Sequence, residues 1–160
     1  MIATQSIPSA FAADHDRLDE LFVNFRTCKR TDYARAKEFF KEFKFGLQRH
    51  IVWEESILFP RFEHKTGMVK HGPTEVMRLE HRIIADRLEE VHQFVQRQDP
   101  NSDHEERLLL ESLSEHNQKE EHVLYPALDR LLSDEEKADV FTEMEQTPES
   151  AYKVCCGRHE

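Results

Sequence analysis

The stretch "HIVWE" (residues 50–54) returns as "HNQKE" at residues 116–120. Both begin with His and end with Glu, while the three residues between are apolar in one and amide or charged in the other. An α-helix turns about 100° per residue, so residues four apart lie about 40° apart on one face. The shared ends therefore face one way, and the unlike middles face elsewhere. Around His50 and Glu54, spacings of three and four continue through Phe39, Phe43, Leu47 and Ile57. Around His116 and Glu120 they continue through Leu109, Leu113, Val123 and Ala127. Two ionisable residues thus fall on the apolar stripe of each helix, where a core is expected.

The agreement extends beyond the motif. An offset of 66 residues carries His15 onto His81, His50 onto His116, Glu54 onto Glu120 and Pro60 onto Pro126. "ILFP" (57–60) answers "VLYP" (123–126), and Phe11, Leu18 and Phe25 answer Met77, Ile84 and Val91. The chain reads as two helical hairpins, each giving His from its first helix and His-x-x-x-Glu from its second.

Breakers set the boundaries. Pro8 precedes a first helix capped by Ser9 and running to about Arg26; "CKRTD" (28–32) separates it from a second at about 33–64. "KTGMVKHGP" (65–73) is a loop before a third helix at about 74–98, and "SDHE" (102–105) has the form of a capping box opening the fourth. "SDEE" (133–136) opens a short fifth helix. The predicted fold is all-α, an antiparallel up-down-up-down four-helix bundle with a short C-terminal fifth helix and tail. One domain is expected over 1–160, with its bundle core at about 9–132, the short helix at about 133–146 and the tail at 147–160.

Composition narrows the function. Charged residues make up 34% of the 160 and only four are Gly, which suits long solvated helices. A net charge of −10 opposes binding to nucleic acid or to an anionic membrane surface. No apolar run approaches the roughly 20 residues that span a bilayer. "AFA" at 10–12 lacks the basic and apolar segments of a secretory signal, so a cytoplasmic location is expected. Cys28, Cys155 and Cys156 do not form a disulfide framework.

Six ionisable residues, His15, His50, Glu54, His81, His116 and Glu120, are therefore placed in a core. A lone His on an apolar stripe is ordinarily a hydrogen-bonded core residue, and a buried Glu needs a partner. Paired His–Glu hydrogen bonds would not account for one His on each of four helices with two carboxylates a turn away. A metal at the bundle centre uses all six. Imidazole with carboxylate suits iron, or less well manganese, while tetrahedral zinc would leave ligands idle.

His15, His50-x-x-x-Glu54, His81 and His116-x-x-x-Glu120 together resemble the hemerythrin-like (HHE cation-binding) family over about residues 10–130. The resemblance implies a non-haem di-iron centre, oxo- or hydroxo-bridged, with the four His as terminal ligands and Glu54 and Glu120 bridging. The oxygen-carrying members have a further His four residues after the third-helix ligand, where this chain has Ala85, and an Asp where it has Glu121. The four-His, two-Glu pattern is more similar to bacterial di-iron proteins of nitrosative-stress and iron–sulfur repair, and to members linked to peroxide removal. The implied ligand is O2, NO or peroxide, with a redox partner compatible with turnover. A non-catalytic iron or oxygen sensor read by a partner is the alternative. Ala85 in place of the fifth His is expected to leave an open coordination position.

Other residues read as structural. Tyr125 lies off the ligand stripe and is expected to pack, as is Trp53; Asp19 is expected to point inward and form a salt bridge near His15. His64, His71, His92, His104 and His122 are expected on solvated surfaces, and the Cys155–Cys156 tail with His159 to be unstructured.

Overall fold

The computed structural model describes residues 5–154. Helix α1 (Ile7–Cys28) is capped by Ser6, whose hydroxyl accepts from the Ser9 amide at 3.3 Å. Pro8 lies within its first turn, where a missing N–H costs nothing. The expected cap at Ser9 is therefore displaced by three residues. Asp32 caps α2 (Tyr33–Trp53), which passes through a π-helical turn (Glu54–Leu58) into α3 (Phe59–Thr66). Gly67 ends this rod at φ 76°, a left-handed conformation that glycine adopts without strain. The second hairpin repeats the plan with α4 (Pro73–Gln96), α5 (Asp103–Lys119), a π-helical turn (Glu120–Leu124) and α6 (Tyr125–Leu131). Then come α7 (Asp134–Gln146) and a 3-10 turn (Glu149–Val154). No helix among the described residues is long and apolar enough to cross a membrane.

Proline explains the two π turns. Pro60 and Pro126 each sit second in the helix that follows. Each lacks an N–H and its ring crowds the carbonyl four residues back, so the regular ladder cannot continue. The ladder widens instead, and the amides of Phe59 and Tyr125 donate to the carbonyls of Glu54 and Glu120, five residues earlier. The extra residue shifts the helix phase. Val123, expected in the core, is 59% exposed, and Leu124 is buried in its place. On α2 the buried position is Phe40, with Phe39 at its margin.

Two apolar clusters flank a polar middle. One holds Phe22, Phe25, Phe40, Phe43, Leu88 and Leu109; the other holds Phe11, Phe59, Phe62, Leu124, Leu128 and Val140. Beyond the first cluster, the buried Lys29 lies 2.6 Å from both Asp103 and the fully buried Glu106. Ser102 gives its hydroxyl to Glu106 and does not cap α5, so the expected capping box at 102–105 does not form. A buried carboxylate needs donors more than the helix end needs a cap. The box at Ser133 and Glu136 does form. Part of the expected tail is also packed, since the buried Tyr152 accepts from the Trp53 indole at 3.0 Å. Cys155, Cys156 and His159 lie outside the described residues.

Candidate metal centre

All six repeated residues converge between the apolar clusters, each at most 4% exposed. Glu54, His81, His116 and Glu120 bring ligand atoms within 4.8 Å of one another, and so do His15, His50 and Glu120. The two sets share Glu120. Its Oε1 lies 3.3 Å from His15 Nε2 and 3.2 Å from His116 Nε2. Glu54 turns Oε1 toward His81 Nε2 at 3.1 Å and Oε2 toward His50 Nε2 at 3.6 Å. Each carboxylate therefore spans a His15/His50 side and a His81/His116 side.

Outer carboxylates fix three of the four imidazoles, and a fourth carboxylate lies near the last. Asp14 lies 2.8 Å from His50 Nδ1, and its repeat mate Glu80 lies 2.9 Å from His116 Nδ1. Glu55 lies 2.6 Å from His81 Nδ1, and its mate Glu121 lies 3.6 Å from His15 Nδ1. In every case Nε2 is left facing the centre. Such outer partners orient a ligand ring and raise its basicity. The signal was present in the 66-residue offset, since positions 14 and 80, and 55 and 121, are acidic in pairs.

Tyr125 corrects the expectation that it only packs. Its hydroxyl donates to Glu54 Oε2 at 2.6 Å, lies 2.9 Å from Glu120 Oε1 and is 3.1 Å from His50 Nε2. A period of 3.6 puts residue 125 off the ligand face, whereas the π turn stacks it over Glu120. The repeated proline was the available signal. Its mate Phe59 occupies the matching place and stacks on His81 with ring centroids 5.8 Å apart.

Charge in the metal-free centre is held by protons. Burial opposes ionisation of His50, but Glu54 and the Asp14 contact outweigh it and push its pKa up to about 10. Burial likewise opposes charge on His81, and contacts with Glu54 and Glu55 push it up to about 9. His116 is raised against its burial by Glu120. Burial alone would raise Glu54; the His50 charge and its hydrogen bonds hold it well below the usual carboxylate range. Burial, then Glu120 and Glu54, push the Tyr125 phenol well above its ordinary value, so it stays a neutral donor.

The residues fit a cation. Glu120 Oε2 is buried with no hydrogen-bond partner among the described residues, an arrangement costly unless something else satisfies it. A cation would replace protons on the imidazoles, and the mixed nitrogen and oxygen donors suit iron. Between the six residues is a cavity of about 10 Å³, lined by all of them. Its walls include Phe43, Leu47, Ile84 and Leu113. Asp19, not Ala85, is at its edge; Asp19 is exposed and makes no ion pair among the described residues. Among the other histidines, His64, His71, His104 and His122 are exposed, and His92 is half-buried against Phe40.

Comparison with known proteins agrees with this geometry. The family described as the hemerythrin HHE cation binding domain matches residues 6–128. An uncharacterized hemerythrin-like protein of Schizosaccharomyces pombe is 30% identical over 144 residues, covering 88% of this chain and 68% of that protein. No solved structure matches the chain.

Proposed function

The chain belongs to the hemerythrin HHE cation-binding family, and we propose that it is a non-haem di-iron protein that binds or reacts with O2, NO or peroxide. The observation that carries this reading is the pair of His-based ligand sets joined through Glu120, enclosed by apolar side chains. The proposed ligands are His15, His50, Glu54, His81, His116 and Glu120. Bound iron supplies vacant coordination positions and electrons.

The remaining work falls to side chains. Asp14, Glu55 and Glu80 hold three imidazoles with Nε2 inward, so the ligand rings need no reorganisation when a cation arrives. Tyr125 keeps a proton between the two central carboxylates. Phe43, Leu47, Ile84 and Leu113 exclude bulk water and bulky substrates. Apolar walls favour a small reactive molecule over a bulky polar one, which supports handling of reactive oxygen or nitrogen species as the role.

One contact favours the sensor reading. Trp53, next to Glu54 in sequence, hydrogen-bonds Tyr152 of the C-terminal turn and so couples the centre to a surface segment. Adding azide, NO and hydrogen peroxide to iron-loaded protein separates the readings. Perturbed optical spectra with catalytic loss of peroxide support reaction. Perturbed spectra without turnover favour sensing. Spectra indifferent to all three ligands refute small-ligand binding.

A further inference from the structure

The 66-residue repeat gives the seam between α1 and α5 a counterpart between α4 and α2, and the two seams differ. On α2, Gln48, Ile51 and Val52 are buried. Their mates on α5, Ser114, Asn117 and Gln118, are exposed or half-exposed. On α1 the exposed Asp19 stands where α4 has Ala85. His92 stacks on Phe40 across the α2/α4 seam, with centroids 6.0 Å apart. Between α1 and α5 there is instead an open groove of about 450 Å³.

The groove reaches the centre. His15, Asp19, Leu113 and Asn117 line both the groove and the inner cavity. Where the two meet, His15 Nδ1 is buried without a hydrogen-bond partner among the described residues. Asp16, Asp19 and Glu121 make the mouth acidic, against the single cation Arg26. Like-signed charge along a cleft concentrates ions of the opposite sign.

We propose that the α1/α5 groove is the portal through which a hydrated divalent cation reaches the six ligands, with Asp19 and Asn117 as its gate. This rests on the metal-centre reading above. The Asp19 carboxylate draws the ion in, and the Asn117 amide oxygen replaces part of its water shell as it passes toward His15. The counterpart seam offers Ala85 and Ile51, which can do neither.

Metal-free protein mixed with Co²⁺ in a stopped-flow cell reports entry through quenching of Trp53, the one tryptophan of the chain. Asp19→Leu combined with Asn117→Leu should slow uptake by about tenfold or more, with the final metal content unchanged. Ala85→Leu, on the other seam, should load at the wild-type rate. Asp19→Asn, which keeps the shape of the side chain, should load more slowly and with a weaker dependence on salt. Wild-type rates in both Asp19 variants overturn the portal, as does equal slowing by Ala85→Leu. A wild-type protein that takes up no metal overturns the centre itself and the portal with it.

Discussion

Removing one hydroxyl should separate the metal-free and metal-loaded proteins. Tyr125→Phe keeps the ring packed on Phe11, whose centroid is 5.2 Å away, and deletes only the oxygen. That oxygen is fully buried between two fully buried carboxylates, 2.6 Å from Glu54 and 2.9 Å from Glu120. A hydrogen bond to a charged acceptor contributes about 1.5–3 kcal/mol, and the acceptor left behind costs a comparable desolvation term. Neighbouring imidazoles recover part of this, so the net loss is about 3 kcal/mol. For a chain of this size about 1 kcal/mol moves the melting temperature by about 2–4 °C, so the metal-free variant should melt about 6–12 °C lower. In loaded protein the cations satisfy Glu54 and Glu120, and the shift should shrink to a few degrees. Thermal melting by circular dichroism in both forms gives the comparison. An unchanged metal-free melting temperature, or equal losses in both forms, would refute the role assigned to the hydroxyl.

Two further outcomes follow from the same network. His50 and His81 have folded pKa values of about 10 and about 9, above their ordinary 6.5. Their stabilising charge is fully present below pH 6.5 and lost as pH rises through those values, so metal-free protein should melt progressively lower from neutral to alkaline pH. Metal addition at neutral pH should release protons to an indicator dye, and a flat melting profile with no proton release would contradict the protonated state. Asp14→Ala and Glu80→Ala should each weaken metal affinity by about 10–100-fold while leaving saturating stoichiometry intact. Unchanged affinity in a competitive chelator titration would show that these carboxylates do not orient the imidazoles.

Helical periodicity and the internal repeat made the six central residues legible, because each signal reaches them independently. His50 and Glu54 complete an apolar stripe, and the same pair recurs 66 residues later. Tyr125 was not legible by that route. A straight 3.6-residue helix points it away from Glu120, and only the π turn before Pro126 brings it back. The repeated Pro60 and Pro126 announced that turn. Asp14 and Glu80 adjoin ligands and are acidic in both halves, yet in a chain that is 34% charged they read as solvated surface. Ser102 misled because a capping residue and a donor to a buried carboxylate have the same side chain. Which of the two roles wins depends on Lys29 and Glu106, brought there by the tertiary fold.

The proposed centre holds two iron ions between carboxylates shared within one chain. Iron content per chain, measured after anaerobic ferrous loading and desalting, is the test of that stoichiometry. Wild-type protein should retain about two ions, and Glu54→Ala and Glu120→Ala should each retain fewer. A wild-type value near one or zero, or full iron in both variants, would contradict the shared centre.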